Sequence, residues 1–563
     1  MTDDRRQKTP SDQRPPADRG TAGHIDRRSL LRGAAALTVG GLTATTTLSQ
    51  TAAPRGEPAV APQSADANRE LAAQTGRTLR WAGRDAADWV KPRSGVDHNV
   101  VIVGGGQSGV AIAYGLKRKG VGKVDVIDQS EPGQAGIWRN IARMHQLRTP
   151  KTLLPGPEAG NVALSFRAWY ETLNTPQAFD ALDRIPRLAW ADYLAWFQQT
   201  TDTKVRYRTR LVEIEPQGDV LRLHLDVEGT PRVETTRKLV LANGYAGAGG
   251  PSIPDFMRSL PPAVWAHSTG QIPVEKLAGK VVGVVGAGSN AFDAAGVALE
   301  AGAAEVHMFN RRSYVDYQAP AATAPPPATA ASPPTPPVDR GYSNVLELTY
   351  ELPDVVRWRN FLLTERRVAS VPLDSLQRAV AFKGFHIHQS TSLANVAAAG
   401  NGKVTAKAGR KTMRFDYLIA GTGYRVDLAA QPELARIHDQ IALWRDRFKP
   451  AQGDENAAGA LHPYLGAGFE LLPRGDTAAE FLRNVHCFNL AAALSFGIPV
   501  GDVPSMVDHP RLVTAIARDL YREGVDVAAN ERFINTPQVA PDPAPYQRAV
   551  VADARESVRK EVA

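Results

Sequence analysis

The chain of 563 residues contains one cysteine, Cys487, so no disulfide can form within it, and the paired thiols of a disulfide reductase are excluded. Long apolar runs are also missing. No stretch of ~18 strongly apolar residues occurs, and no integral membrane span is expected. Aromatic residues make up only 7% and are not interleaved with basic clusters. The net charge of +8 is therefore scattered rather than gathered into a nucleic-acid-binding face, and no nucleic-acid partner is expected. What remains, with 43% hydrophobic and 22% charged residues, is the composition of a globular protein too long for one core; two domains plus tails are expected.

The strongest local pattern begins at Val100-Val101-Ile102-Val103, a β-branched run of the kind that forms a strand buried on both faces. It enters Gly104-Gly105-Gly106-Gln107-Ser108-Gly109, continues into a helical pattern with Val110, Ala113, Tyr114 and Leu116 on one face, and reaches a second strand, Val124-Asp125-Val126-Ile127, that ends in Asp128-Gln129. Gly104 allows the tight turn, Gly106 lets a pyrophosphate approach the backbone, and Gly109 lets helix and strand pack closely. Gln107 and Ser108 open the helix whose N-terminus receives the phosphate charge. Asp128 stands about 20 residues beyond Gly109, the spacing of an acid that accepts from a ribose hydroxyl. A second unit of the same kind follows. Lys280-Val281-Val282-Gly283-Val284-Val285 is an apolar strand leading into Gly286-Ala287-Gly288-Ser289-Asn290-Ala291, where Ala291 keeps the helix close to the sheet. The next strand, Glu305 to Phe309, ends in Asn310-Arg311-Arg312. Two cations where an NAD site carries an acid suit a 2′-phosphate, so NADPH is the expected coenzyme there.

Further motifs carry a family resemblance. Gly136-Ile137-Trp138 follows the first acid at the distance of a flavin-side Gly-x-Trp loop. Arg148, in Arg148-Thr149-Pro150-Lys151, stands where an Asn-x-x-Lys motif would lie beside the flavin. Asn243-Gly244-Tyr245 ends an apolar strand, Trp265-Ala266-His267-Ser268 occupies the place of a linker histidine motif, and Ala420-Gly421-Thr422-Gly423-Tyr424 closes the second nucleotide unit. Over about residues 98 to 530 the sequence resembles the class B flavoprotein monooxygenases, which include flavin-containing, Baeyer-Villiger and N-hydroxylating enzymes. The resemblance implies an α/β fold of two Rossmann-like dinucleotide-binding domains, with the NADPH domain inserted into the FAD domain. It implies FAD on the first glycine turn, with Gly136 and Trp138 beside it, NADPH on the second turn with Gly423 nearby, and Arg148 as the candidate catalytic residue. It further implies hydride transfer to the flavin and capture of molecular oxygen as a flavin hydroperoxide that oxygenates a small molecule. Two alternatives are a flavin-dependent reductase or dehydrogenase without oxygen insertion, and a nucleotide-binding sensor with a degenerate second site.

In segments, residues 1–53 contain Asp26-Arg27-Arg28-Ser29-Leu30-Leu31-Arg32 before a weakly apolar stretch, and resemble a twin-arginine signal. Export through that machinery to the periplasm is the expectation, with a cytoplasmic pool as the alternative, since free NADPH is not expected outside. Residues 54–97 read as a linker with a short helix near Arg69 to Gln74. Residues 98–265 and 415–530 read as the two parts of the FAD domain, and 266–414 as the NADPH domain with a Pro/Ala-rich loop at 319–337; residues 531–563 form a tail. The aromatics of Trp190 to Phe197 read as core. Cys487 reads as a buried small apolar residue. His386 and His388 share one face of a strand, but no third ligand with motif spacing accompanies them, so no metal is expected.

Overall fold

The computed structural model describes residues 64–81, 83, 87–153, 156–318, 348–366, 370–475, 479–497 and 499–550. Arg27-Arg28 and the loop at 319–337 lie outside the described residues. The stretch read as a linker contains the helix α1 (Ala65–Trp81), longer than expected. It docks on the body by burying Leu71 and by a 2.8 Å hydrogen bond from the Thr172 hydroxyl to Gln74 Oε1.

The first nucleotide unit starts with β1 (His98–Val103), α2 (Gln107–Arg118) and β2 (Val124–Ile127). Their apolar faces explain the order: Val100, Val101 and Ile102 are inaccessible to solvent, as are Ile112 and Leu116 of the helix. A small antiparallel pair, β3 (Gln146–Pro150) and β4 (Arg184–Pro186), leads to α3 (Arg187–Thr200). The Trp190, Tyr193 and Phe197 side chains of α3 are fully buried, as the sequence predicts. Next come β5 (Thr209–Gln217), β6 (Val220–Val227) and β7 (Thr230–Leu241), an antiparallel meander. The sequence pattern starts β5 at Lys204, but residues before Thr209 instead cross the end of β2, where Arg206 and Thr209 bond the Asp128 backbone on both sides. β7 changes role along its length. Its polar first half is exposed beside β6, and its apolar end, Leu239-Val240-Leu241, is buried parallel to β1.

The second unit comprises β8 (Trp265–His267), β9 (Val281–Val285), α4 (Ser289–Glu300), β10 (Glu305–Phe309), α5 (Leu373–Val380) and β11 (Phe385–His388). A three-stranded antiparallel sheet of β12 (Leu393–Ala399), β13 (Lys403–Ala408) and β14 (Lys411–Phe415) precedes β15 (Tyr417–Ala420). The parallel order is β11-β10-β9-β15-β8. One face packs on α4, and Phe309, Leu418 and Ala420 on the other pack with Val404, Ala406 and Phe415. The chain then returns to the first sheet as β16 (Val485–Cys487), parallel to β7, and α6 (His509–Arg522) lies on α2 where Val513 meets Gly115. The second sheet is thus inserted between two strands of the first. Cys487 is buried, which pushes its thiol up to about 12, as befits a small core residue. No helix among the described residues is long and apolar enough to cross a membrane.

Candidate active site

Both glycine turns solve the same steric problem. Val103 is level with Ile127 and Leu241, so the chain must leave β1 beside the end of β7. Gly104 does so at φ +113°, where an added Cβ would lie 2.5 Å from the Ala242 carbonyl oxygen. In the second unit Gly286, at φ +106°, lies against the Gly421 carbonyl in the same way. Gly106 and Gly288 are the N-caps of α2 and α4 and offer no capping side chain, so the first N–H groups of both helices remain available to an anion. These are the features a dinucleotide pyrophosphate needs, and the residues present fit FAD and NADPH.

The side chains around the first turn brace it. Asp128 accepts from Gly105 N at 2.7 Å and from the Ser130 amide and hydroxyl at 2.8 and 2.5 Å, so it fixes the turn. Gln129 beside it is exposed. Gln107 is buried; its Oε1 accepts from Trp190 Nε1 at 3.1 Å and its Nε2 donates to the Gly501 carbonyl at 3.3 Å. Ser108 is buried, and Gly109 lies under the Gly104 carbonyl. Gly136 comes backbone to backbone against Gly106, where a Cβ would be 3.2 Å from the Gly136 Cα. The Trp138 indole is buried in the apolar cluster with Tyr114, Met144 and Trp190, while its carbonyl accepts from Arg187.

Around the second turn Ser289 is buried and Ala291 packs against Gly421. Arg148 Nη2, at 2.7 Å from both Asn290 Oδ1 and Asp293 Oδ2, ties β3 of the first unit to the start of α4. Beyond β10, Arg311 is exposed and Arg312 half-buried, with the Arg312 backbone held by Asn310 Oδ1 at 3.1 Å and by Ser390 N at 2.8 Å. Gly423, at φ +76°, accepts from Ser252 N at 2.8 Å.

Between the turns a polar group converges that the sequence reading did not assemble. Tyr245 and Tyr424 follow corresponding strand ends, in Asn243-Gly244-Tyr245 and Thr422-Gly423-Tyr424, and their rings meet edge to face at 5.2 Å. His267, at the end of β8, lies 6.1 Å from the Tyr424 ring and pairs through Nδ1 with the Thr269 hydroxyl at 2.8 Å. Arg143 donates to the carbonyls of Ser268 and Gly270. Burial raises both tyrosines, with Arg148 opposing the rise. Burial also lowers His267 to about 4 and depresses Arg143. Asp502 keeps accessible surface while protein surrounds it, as a group on a cleft wall does, and its carboxyl is raised by burial against the pull of Arg148. The repeated Gly-Tyr after each closing strand was the available signal for the tyrosine pair. Arg143, Asp293 and Asp502 have no short-range signal, because their partners lie far along the chain.

Fold and site together define a flavoprotein oxidoreductase with two dinucleotide sites. Residues 101–246 match the FAD-NAD(P)-binding family model, and residues 177–318 match that of L-lysine 6-monooxygenase/L-ornithine 5-monooxygenase. The chain is 37% identical over 441 residues to the FAD-dependent urate hydroxylase of Xanthomonas campestris pv. campestris, covering 77% of this chain and 89% of that protein. Its fold is similar to that of L-lysine 6-monooxygenase from Pseudomonas syringae (TM-score 0.56, 18% identity, 75% of this chain and 99% of that one). It is also similar to an ornithine hydroxylase from Pseudomonas aeruginosa (TM-score 0.55, 17% identity, 76% and 100%). The chain belongs to the FAD- and NADPH-dependent flavoprotein monooxygenases.

Proposed function

We propose that this monooxygenase hydroxylates a planar, anionic nitrogen heterocycle of the urate type. The observation that carries this reading is the pair of guanidinium groups, Arg143 and Arg148, beside Tyr245 and Tyr424 between the two glycine turns. Guanidinium groups attract and orient an anion, and tyrosine rings give a flat ring an apolar surface to lie on. The 37% identity to a urate hydroxylase supports the same class. An aliphatic amine of the lysine or ornithine type would carry a cation towards these arginines.

In this reading FAD lies on Gly104, Gly106, Gln107, Ser108, Gly109 and Asp128, under Gly136. NADPH lies on Gly286, Gly288, Ser289, Asn290 and Ala291, with Arg311 and Arg312 on its 2′-phosphate. Reduced FAD supplies the two-electron chemistry: one atom of dioxygen enters the substrate, the other leaves as water, and NADPH is oxidised. The chain's own part is to hold and shield. Arg148 positions, through Asn290 and Asp293, the helix that receives the coenzyme pyrophosphate. His267 is neutral at pH 7, so it adds no charge beside Tyr424 and offers hydrogen bonds only. NADPH oxidation by the flavin-loaded protein should accelerate with urate and not with lysine or ornithine; acceleration by the amines alone refutes the substrate class.

For location, Arg27-Arg28 supports twin-arginine export. Replacing both with lysine should retain the protein in the cytoplasmic fraction; an unchanged distribution in cell fractions contradicts export.

A further inference from the structure

We propose that Glu305, His307 and His386 form a binding site for a divalent transition-metal ion on the second nucleotide sheet, with His388 as the partner that orients His307. The sequence shows only His386-Ile387-His388, two imidazoles without a third ligand. The parallel register of β10 with β11 supplies what is missing. His307 is paired with His386, and residues two apart on each strand share their face, so Glu305, His307, His386 and His388 all project from one side of the sheet.

The donor atoms are already grouped. One ligand atom from each of Glu305, His307 and His386 lies within 4.8 Å of the others. His307 Nε2 is 2.9 Å from Glu305 Oε2, and His307 Nδ1 is 3.0 Å from His388 Nε2. With His307 Nδ1–H donating to His388 Nε2, neutral His307 keeps its Nε2 lone pair, on the atom that faces Glu305, for an ion. An imidazole bound through one nitrogen and held by a hydrogen bond at the other is the usual arrangement of a metal ligand. Stacking fixes the rings: His307 lies on His386 at 4.8 Å and His388 on Phe309 at 4.8 Å. Glu305 is about half exposed at its side chain, which gives an ion a way in and lets the carboxylate move to coordination distance. Two imidazoles, a carboxylate and an open position for water suit zinc, or nickel or copper in its place.

A second group of similar composition, His98, Asp125 and Glu234, shows the contrast. There Arg206 already provides the cation, donating to Asp125 at 2.5 Å and to Glu234 at 2.6 and 2.7 Å. Glu305 instead faces His307, an imidazole rather than a fixed cation, at 2.9 Å.

The test is zinc binding to the untagged, flavin-loaded chain after chelator dialysis, followed by calorimetry and by elemental analysis after gel filtration. One zinc per chain is expected, with a rise in melting temperature. His386→Ala and Glu305→Gln, both at exposed side chains, should abolish stoichiometric uptake with the flavin spectrum intact. His388→Ala should weaken binding roughly 10- to 100-fold, the cost of losing an orienting partner. His98→Ala should leave zinc uptake unchanged. Absence of stoichiometric zinc in the wild type, or the same affinity in His386→Ala and Glu305→Gln as in the wild type, overturns the proposal.

Discussion

At the scale of single residues, Arg148 shows how position changes the meaning of a side chain. Its place in the sequence suggests direct contact with flavin, whereas its geometry gives it the deeply buried Asp293 and the neighbouring Asn290. Removing the arginine leaves the Asp293 carboxylate without its counter-charge in a site about 2% exposed. Arg148→Ala should therefore cost about 2–3 kcal/mol in urea unfolding, below the range for a fully buried pair because Arg148 itself keeps a third of its surface. Arg148→Lys should recover part of the stability, because an ammonium restores the counter-charge to Asp293 on a side chain of different reach. Unchanged unfolding of Arg148→Ala would mean the ion pair contributes nothing. The role proposed for Arg311 and Arg312 at the 2′-phosphate is open to the same kind of measurement. One guanidinium on a 2′-phosphate is worth roughly 1.5–3 kcal/mol when partly desolvated, about a ten- to hundredfold preference in catalytic efficiency. Alanine at either position should raise KM for NADPH and leave NADH nearly unaffected. An equal loss for both coenzymes would make them solvated charges only.

At the scale of elements, much was legible because the chemistry is local. β2 and the strand Glu305–Phe309 form over the residues their apolar patterns mark, and each glycine turn follows its strand directly. Those signals depend on steric demands met within a few residues. The converging side chains were less legible: Gln107 meets Gly501, and Arg148 meets Asp293, across hundreds of residues of chain, and the His307 to His386 pairing depends on sheet register. The start of β5 was misplaced because Arg206, with strand-like neighbours, is used to hold the backbone of Asp128. The turn itself gives a prediction. Gly106→Val would press a branched side chain on the Gly136 backbone and into the pyrophosphate position, so the purified variant should be colourless. Full flavin occupancy in that variant would displace FAD from this turn.

At the scale of the whole molecule, the buried histidines set an acid limit. Burial lowers His267 and His462 to about 4 and His486 to about 3, against an ordinary value of 6.5. In that window the unfolded chain binds protons that the folded chain does not, so stability falls as the pH drops from about 6.5 towards 4, by up to about 1.4 kcal/mol per pH unit for each histidine. His462→Gln should flatten the dependence of urea-unfolding free energy on pH between 7 and 5; the same slope in variant and wild type would show that His462 does not contribute. The insertion of the second sheet between two strands of the first has a functional consequence on the same scale, because Arg148 of the first unit is thereby set on the start of α4 beside the second nucleotide turn, in an arrangement for passing an electron pair from NADPH to flavin and then to oxygen. The most direct test of that account is the fate of isotopically labelled dioxygen during NADPH oxidation with urate. It predicts one labelled atom in the organic product for each NADPH consumed, with little peroxide. Stoichiometric peroxide and an unlabelled substrate would show that the electrons reach oxygen without being used to oxygenate urate.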